Sequence, residues 1–208
     1  MTQILILAGA LIALKLLGPV LRVLIAAVAG KAVGSSALAK LPDEIHLQPA
    51  DANVWKNRAA IGAIAGGLRP IGFTDAGTYT ITEMPGVAVR IMVNTSDCMY
   101  AAIYEHPQAG VWFDLATRYS DGTSITFTSA KATGLAARPG HPTVHVKLSP
   151  ADAFTRAKQD RPQAAYASHT ADQAVKNFES AYAESMAWRK TNGVSRQEVV
   201  SVAMKKAA

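Results

Sequence analysis

The hydrophobic pattern changes twice along the chain, from a nearly continuous apolar run to alternating positions and then to helical spacing. Residues 4–30 are almost wholly apolar. In the middle of the chain the period falls to two, so that residues 87, 89, 91 and 93 are apolar around Arg90. Such alternation is typical of half-buried antiparallel strands. The pattern predicts an α+β fold with an N-terminal membrane helix, then an antiparallel β-meander of about six strands, with helices before and after it.

Short alternating runs of this kind recur between turn residues such as Pro85-Gly86 and Asp121-Gly122. They lie at residues 77–83, 87–93, 98–104, 111–119, 123–129 and 144–148. Short joints favour pairing between neighbours in the chain, which predicts the meander. The apolar positions expected to face one shared core are Val89, Ile91, Phe113, Leu115, Ile125 and Val146.

Helix start signals flank the strand region and divide the chain. Asp51 as a cap predicts a helix over 51–66, and Ser149-Pro150 predicts one over 150–160. Helical spacing and capping residues predict two more helices, over 170–190 and 195–206. The expected organisation is a membrane-anchor helix over 1–30, a linker over 31–49 and an α+β domain over 50–208 that carries its strands within about 77–148.

The apolar run contains two basic residues and a proline that share one helical face. Lys15, Pro19 and Arg22 are spaced i, i+4 and i+7, and Gly18 adjoins them. The helix could span the membrane with this face toward a partner or its own copies, kink at Gly18-Pro19, or lie in the interface among anionic headgroups. The charges could also simply snorkel. A cleaved signal peptide is disfavoured because no basic residue precedes the run.

The charge distribution places the basicity at the membrane end. The net charge is +6, and residues 1–40 supply +4 of it, while the rest of the chain holds 17 basic and 15 acidic residues. The domain therefore lacks the clustered basic excess that nucleic-acid binding needs. Positive residues on the C-terminal flank of the run predict a single-pass protein with its domain in the cytoplasm. The expected partners are membrane lipid and either a second copy or a membrane protein.

Four residues between positions 105 and 121 are candidates for catalysis. Glu105 and His106 place an acid and an imidazole at a strand-to-loop boundary, although consecutive strand residues face opposite ways. Asp114 and Asp121 form a second polar set together with Arg118. Asp114 and Arg118 share one strand face four residues apart. An ordinary surface ion pair between them explains their presence there without a catalytic role.

Metal and cofactor chemistry has little support in the sequence. His141 and His145 stand four residues apart and are candidate metal ligands, but two ligands do not make a zinc site. The chain lacks the G-x-S-x-G, G-x-G-x-x-G, C-x-x-C, H-E-x-x-H and Walker patterns. No cofactor is implied.

The element order over roughly residues 50–190 resembles that of helix-grip lipid-binding domains and of cone-shaped folds in which a sheet wraps a helix. The resemblance implies a cavity, and such folds include both binders and enzymes. Two functions stay open. One is a membrane-anchored, non-enzymatic binding or assembly module. The alternative is a small membrane-tethered hydrolase or lipid-processing domain with a cavity near residues 105–121.

Overall fold

The computed structural model describes residues 38–168, 170–195, 197–198 and 201. Residues 42–131 and 137–187 form one compact unit, and the other described residues belong to a second. The strands are β1 (Leu47–Pro49), β2 (Thr74–Ile81), β3 (Ala88–Asn94), β4 (Met99–His106), β5 (Gly110–Arg118), β6 (Ser124–Thr128) and β7 (Thr143–His145). The helices are α1 (Arg58–Leu68), α2 (Pro150–Asp160) and α3 (Ala171–Asn192).

The strands of the larger unit form one sheet in the order of the chain. All neighbouring pairs are antiparallel except β6 and β7, which are parallel. The connection over residues 129–142 is long enough for the crossover that a parallel pair requires. The predicted α+β class with an antiparallel sheet is therefore confirmed, and the final strand departs from a pure meander.

Strand β1 lies in the segment expected to be a linker over 31–49. It pairs with β2, and Leu47 is 6% exposed. Ile45 just before it is 2% exposed. A strand of three residues is too short to show an alternating pattern, so the sequence gives little sign of it.

Both faces of the sheet are covered, which corrects the expectation of one shared core. Helices α1 and α2 supply residues to the first core, which also holds Phe113, Leu115, Ile125 and Val146. Helix α3 supplies Ala174 and Phe178 to the second core, on the opposite face of the sheet. Val89 and Ile91 belong to this second core. The arrangement differs from a sheet that wraps a single helix.

The hairpin between β3 and β4 decides which face of the sheet Val89 and Ile91 occupy. Asn94 pairs with Met99 across four loop residues, so odd positions of β3 align with even positions of β4. Ile91 is therefore opposite Ala102, which is in turn opposite Asp114 on β5. Because side chains alternate along a strand, Ile91 and Asp114 share a face and Phe113 points the other way.

Two helices differ in how closely they match the predicted bounds. A short 3₁₀ turn occupies Ala52–Val54, and α1 begins only at Arg58, after the predicted start at residue 51. Asn57 provides its cap by accepting a hydrogen bond from Ala60 N at 3.1 Å. Helix α2 is capped by Ser149, whose Oγ accepts from Asp152 N at 3.2 Å.

The smaller unit contains a capping box around Glu198. Its carboxylate accepts hydrogen bonds from Ser195 N at 2.8 Å and from Ala136 N at 2.7 Å. Ser195 Oγ in return accepts from Glu198 N at 3.2 Å, the reciprocal pattern of such a box. Burial raises the pKa of Glu198, but these hydrogen bonds and one from Arg189 outweigh burial and lower the pKa to about 2.

The expected membrane helix over 1–30 lies outside the described residues, as do Lys15, Gly18, Pro19 and Arg22. Within the part of the chain that the structure describes, no helix has both the length and the apolar character needed to cross a bilayer.

Candidate functional site

Two of the catalytic candidates sit at the end of β4, where they hold backbone groups. The Glu105 carboxylate accepts hydrogen bonds from Lys56 N at 2.8 Å and Asn57 N at 2.9 Å, just before α1. His106 Nδ1 is 3.1 Å from Gln108 N and 3.2 Å from Ala109 N, which donate to it. Both side chains therefore fix the path of the main chain.

Asp121 likewise stabilises a turn. Its Oδ1 accepts hydrogen bonds from Thr123 N at 2.9 Å and from Thr123 Oγ1 at 2.7 Å. These two bonds lower the pKa of Asp121. The carboxylate is on the loop between β5 and β6, and its oxygen is engaged within the loop itself.

Asp114 is the exception among the four candidates. It lies on the second face of the sheet between Ala102 and Thr128. Burial raises the pKa of Asp114 to about 6, against the opposing effects of hydrogen bonds to Thr128 and Tyr104 and of the His145 charge. Its Oδ1 is inaccessible to solvent and has no hydrogen-bond partner among the described residues.

Aromatic side chains border Asp114 on the same face. Tyr104 stacks on Trp112 with ring centroids 4.7 Å apart, and Phe178 of α3 packs on Tyr104 at 6.0 Å. Burial, with the Asp114 charge as a second cause, raises the pKa of Tyr100 to about 12. The packing explains why Asp114 is poorly solvated.

A cluster of polar side chains gathers where β5 ends and β6 begins. We call it the arginine cluster and define it as Arg118, Ser124, Arg138, His141 and Glu184. Arg118 and Arg138 each donate to a different oxygen of the Glu184 carboxylate, both at 3.2 Å. The predicted pairing of Arg118 with Asp114 is therefore replaced by a pairing with α3, although the two residues do share a face.

The loop before β7 brings the rest of the arginine cluster into place. His141 N donates to Arg138 O at 2.9 Å, and Ser124 N donates to Gly140 O at 3.0 Å. Gly140 has a φ of +76°, where a side chain is strained, and a Cβ there would lie 3.1 Å from Thr123 Cγ2. This tight turn places His141 Nδ1 2.8 Å from Ser124 Oγ.

Charge and burial set the protonation of the arginine cluster. Burial lowers the pKa of His141, and the positive charges of Arg138 and Arg118 act in the same direction. Burial alone raises the pKa of Glu184, but hydrogen bonds from the two arginines outweigh it and leave the pKa below its ordinary value. At neutral pH the cluster therefore holds two guanidiniums, one carboxylate and a neutral imidazole.

The two histidines proposed as metal ligands have separate partners. His141 contacts Ser124, whereas His145 Nδ1 lies 2.9 Å from Ala130 O. Among the described residues, no group of three or more His, Cys, Asp or Glu side chains is arranged to hold a metal ion.

Arg161, at the end of α2, is a buried charge that sequence reasoning missed. It is 7% exposed, and its guanidinium donates to Asp97 O at 2.6 Å and to Thr117 Oγ1 at 3.2 Å. The guanidinium carbon lies 4.3 Å from the centroid of Tyr166. It joins the loop after β3 to β5, a structural role.

Sequence reasoning also missed Ser124, Arg138 and Glu184 as site residues. They are separated by 14 and 46 positions in the chain, and no local motif links them. Comparison with known proteins gives no further guide, because no family model, curated protein or solved structure matches this chain.

Proposed function

We propose that the chain is a membrane-tethered, non-enzymatic binding module. The observation that carries this proposal is the engagement of Glu105, His106 and Asp121 with nearby backbone or side-chain groups that hold the fold. A general acid or base must instead reach a proton of the substrate. The cores on the two faces of the sheet support the same conclusion, since they are built for packing.

The membrane tether rests on the sequence of residues 4–30. About 20 apolar residues suffice to cross a bilayer, and this run exceeds that length. The basic residues Lys31 and Lys40 follow it, which favours a cytoplasmic domain. Lys15 and Arg22, with Gly18 and Pro19 between them, would face a second copy of the chain or another membrane protein.

The proposal is tested by the size of the complex that the full chain forms in mild detergent. Replacing Lys15 and Arg22 together by Leu makes the helix easier to insert, by about 5–7 kcal/mol on insertion scales, yet should dissociate the complex. The matched control replaces Lys56 and Lys131, two exposed residues of the domain, by Gln, which removes the same charge away from the apolar run. A wild-type chain that is monomeric, or a double variant that still assembles, contradicts the proposal.

A hydrolase is the second candidate, and the contact between Ser124 Oγ and His141 Nδ1 is the observation that favours it. A serine nucleophile needs a base in this position and a third group that orients the base. Among the described residues, no carboxylate hydrogen-bonds to the other ring nitrogen of His141. Ester hydrolysis by the wild type that disappears in Ser124→Ala would favour the enzyme over the binding module.

A further inference from the structure

We propose that the arginine cluster binds a phosphate-type oxyanion. Basic groups predominate in the cluster. Arg118 and Arg138 bring two positive charges to the single Glu184 carboxylate. The charge of the neighbouring Asp121 carboxylate also acts on His141, but its Oδ1 is engaged by Thr123. The inference rests on the proposed binding function and names the ligand chemistry that the domain would recognise.

The shared carboxylate leaves donors of both arginines unused. Each guanidinium reaches one Glu184 oxygen at 3.2 Å, whereas charge-assisted bonds of this type are usually about 2.7–2.9 Å long. A guanidinium has five N–H donors. Each arginine directs one of them to Glu184, and no other hydrogen bond joins either side chain to the described residues. Donors therefore remain for a ligand.

The two uncharged members of the cluster, Ser124 and His141, lie beside the arginines. Ser124 is directly opposite Arg118 in the pairing of β5 with β6, and its hydroxyl meets the His141 ring. The cluster thus combines two guanidiniums from separate segments with a hydroxyl and an imidazole. A planar carboxylate is matched by one guanidinium fork, so donors from several directions suit the tetrahedral oxygens of a phosphate better.

The cluster is accessible from solvent. The side chains of Arg118 and Arg138 are 28% and 27% exposed, and that of Glu184 is 40% exposed. A ligand can therefore reach the guanidiniums, while partial burial makes their charges more effective than on an open surface. In this arrangement Glu184 competes with the ligand for the same two arginines.

Because Glu184 competes with the ligand, its replacement should increase the affinity for phosphate. A purely structural ion pair would not have this effect. Inorganic phosphate is titrated into the full chain in mild detergent, with chloride at matched ionic strength as the blank, and binding is followed by calorimetry. Glu184→Gln removes the competing charge and should raise the phosphate affinity about tenfold. Arg118→Gln and Arg138→Gln should each lower it by about tenfold or more.

Arg156→Gln is the matched control, because Arg156 pairs with Asp160 on the exposed side of α2 and should leave phosphate binding unchanged. The wild type and Glu184→Gln decide the question even if an arginine variant fails to fold. Absence of phosphate binding in both overturns the proposal, as does binding that Arg156→Gln abolishes or that Glu184→Gln weakens.

A second experiment, with lipids, distinguishes the two possible sources of the phosphate group, a lipid headgroup and a free phosphate compound. The full chain is placed in nanodiscs of phosphatidylcholine alone or of phosphatidylcholine with phosphatidic acid, and the phosphate titration is repeated. Loss of the titration only with phosphatidic acid identifies a lipid headgroup, and its persistence in both identifies a free phosphate compound. If phosphate binds but the chain forms no complex in detergent, the proposed assembly is wrong and the phosphate site stands. If the complex forms but phosphate does not bind, only the phosphate site is wrong.

Discussion

Replacing Asp114 by Asn should stabilise the protein at neutral pH and not at acidic pH. Asp114 is poorly solvated, and burial raises its pKa from the ordinary 3.8 to about 6. A carboxyl whose pKa is raised on folding binds its proton more tightly in the folded state. The wild type should therefore lose stability as the pH rises from about 4 to about 6, and the whole penalty should be present above that range.

The magnitude follows from the difference between the two pKa values. A pKa difference of about 2 corresponds to about 3 kcal/mol of free energy of unfolding. Asn has nearly the shape of Asp and cannot ionise, so Asp114→Asn lacks this penalty. Any loss of the Thr128 or Tyr104 hydrogen bond adds an offset that does not change with pH.

The assay is urea unfolding of both proteins in mild detergent, followed by tryptophan fluorescence between about pH 4 and pH 7. The stability of the variant minus that of the wild type isolates Asp114, because Glu184, Glu198 and the other shifted groups occur in both proteins. We expect this difference to grow by about 3 kcal/mol from acidic to neutral pH. A difference that stays constant across the range would show that the pKa of Asp114 is not raised on folding.

Two further predictions concern the cores and the smaller unit. Phe113→Ala should lower the free energy of unfolding in urea by about 3–5 kcal/mol and Leu115→Ala by about 2–5 kcal/mol, because both side chains are buried. The control, Thr143→Ala at an exposed position of β7, should change it by no more than about 0.5 kcal/mol. Small losses in the first two variants would contradict the core assignment. Glu198→Gln should speed hydrogen exchange at the Ala136 amide, which donates to the carboxylate, and leave the Leu47 amide unchanged. Equal exchange at Ala136 in both proteins would show that the capping box does not hold that segment.

The fold class could be predicted because alternation of side chains is a local property. Strands β5 and β6 show it most clearly, and short turns imply antiparallel pairing. The face of the sheet on which Val89 and Ile91 lie could not be predicted. It depends on whether the number of unpaired residues in the loop between Asn94 and Met99 is odd or even. One residue more would move Val89 and Ile91 to the other face.

The candidate site was harder to predict than the fold. Arg118 and His141 were visible as polar residues, but their partners Glu184 and Ser124 are 66 and 17 positions away. Such contacts arise only once the loop before β7 crosses over and α3 packs on the sheet. The sequence placed Glu105 and His106 at a strand end correctly, yet it carries no sign that their polar atoms would hold the backbone.

Alkaline carbonate extraction of membranes that contain the full chain tests whether this domain is tethered to a membrane. A spanning helix stays in the pellet under these conditions, because its apolar run remains in the hydrocarbon region. We expect the intact chain to be recovered with the pellet. Its release into the supernatant would show that residues 4–30 do not span the membrane.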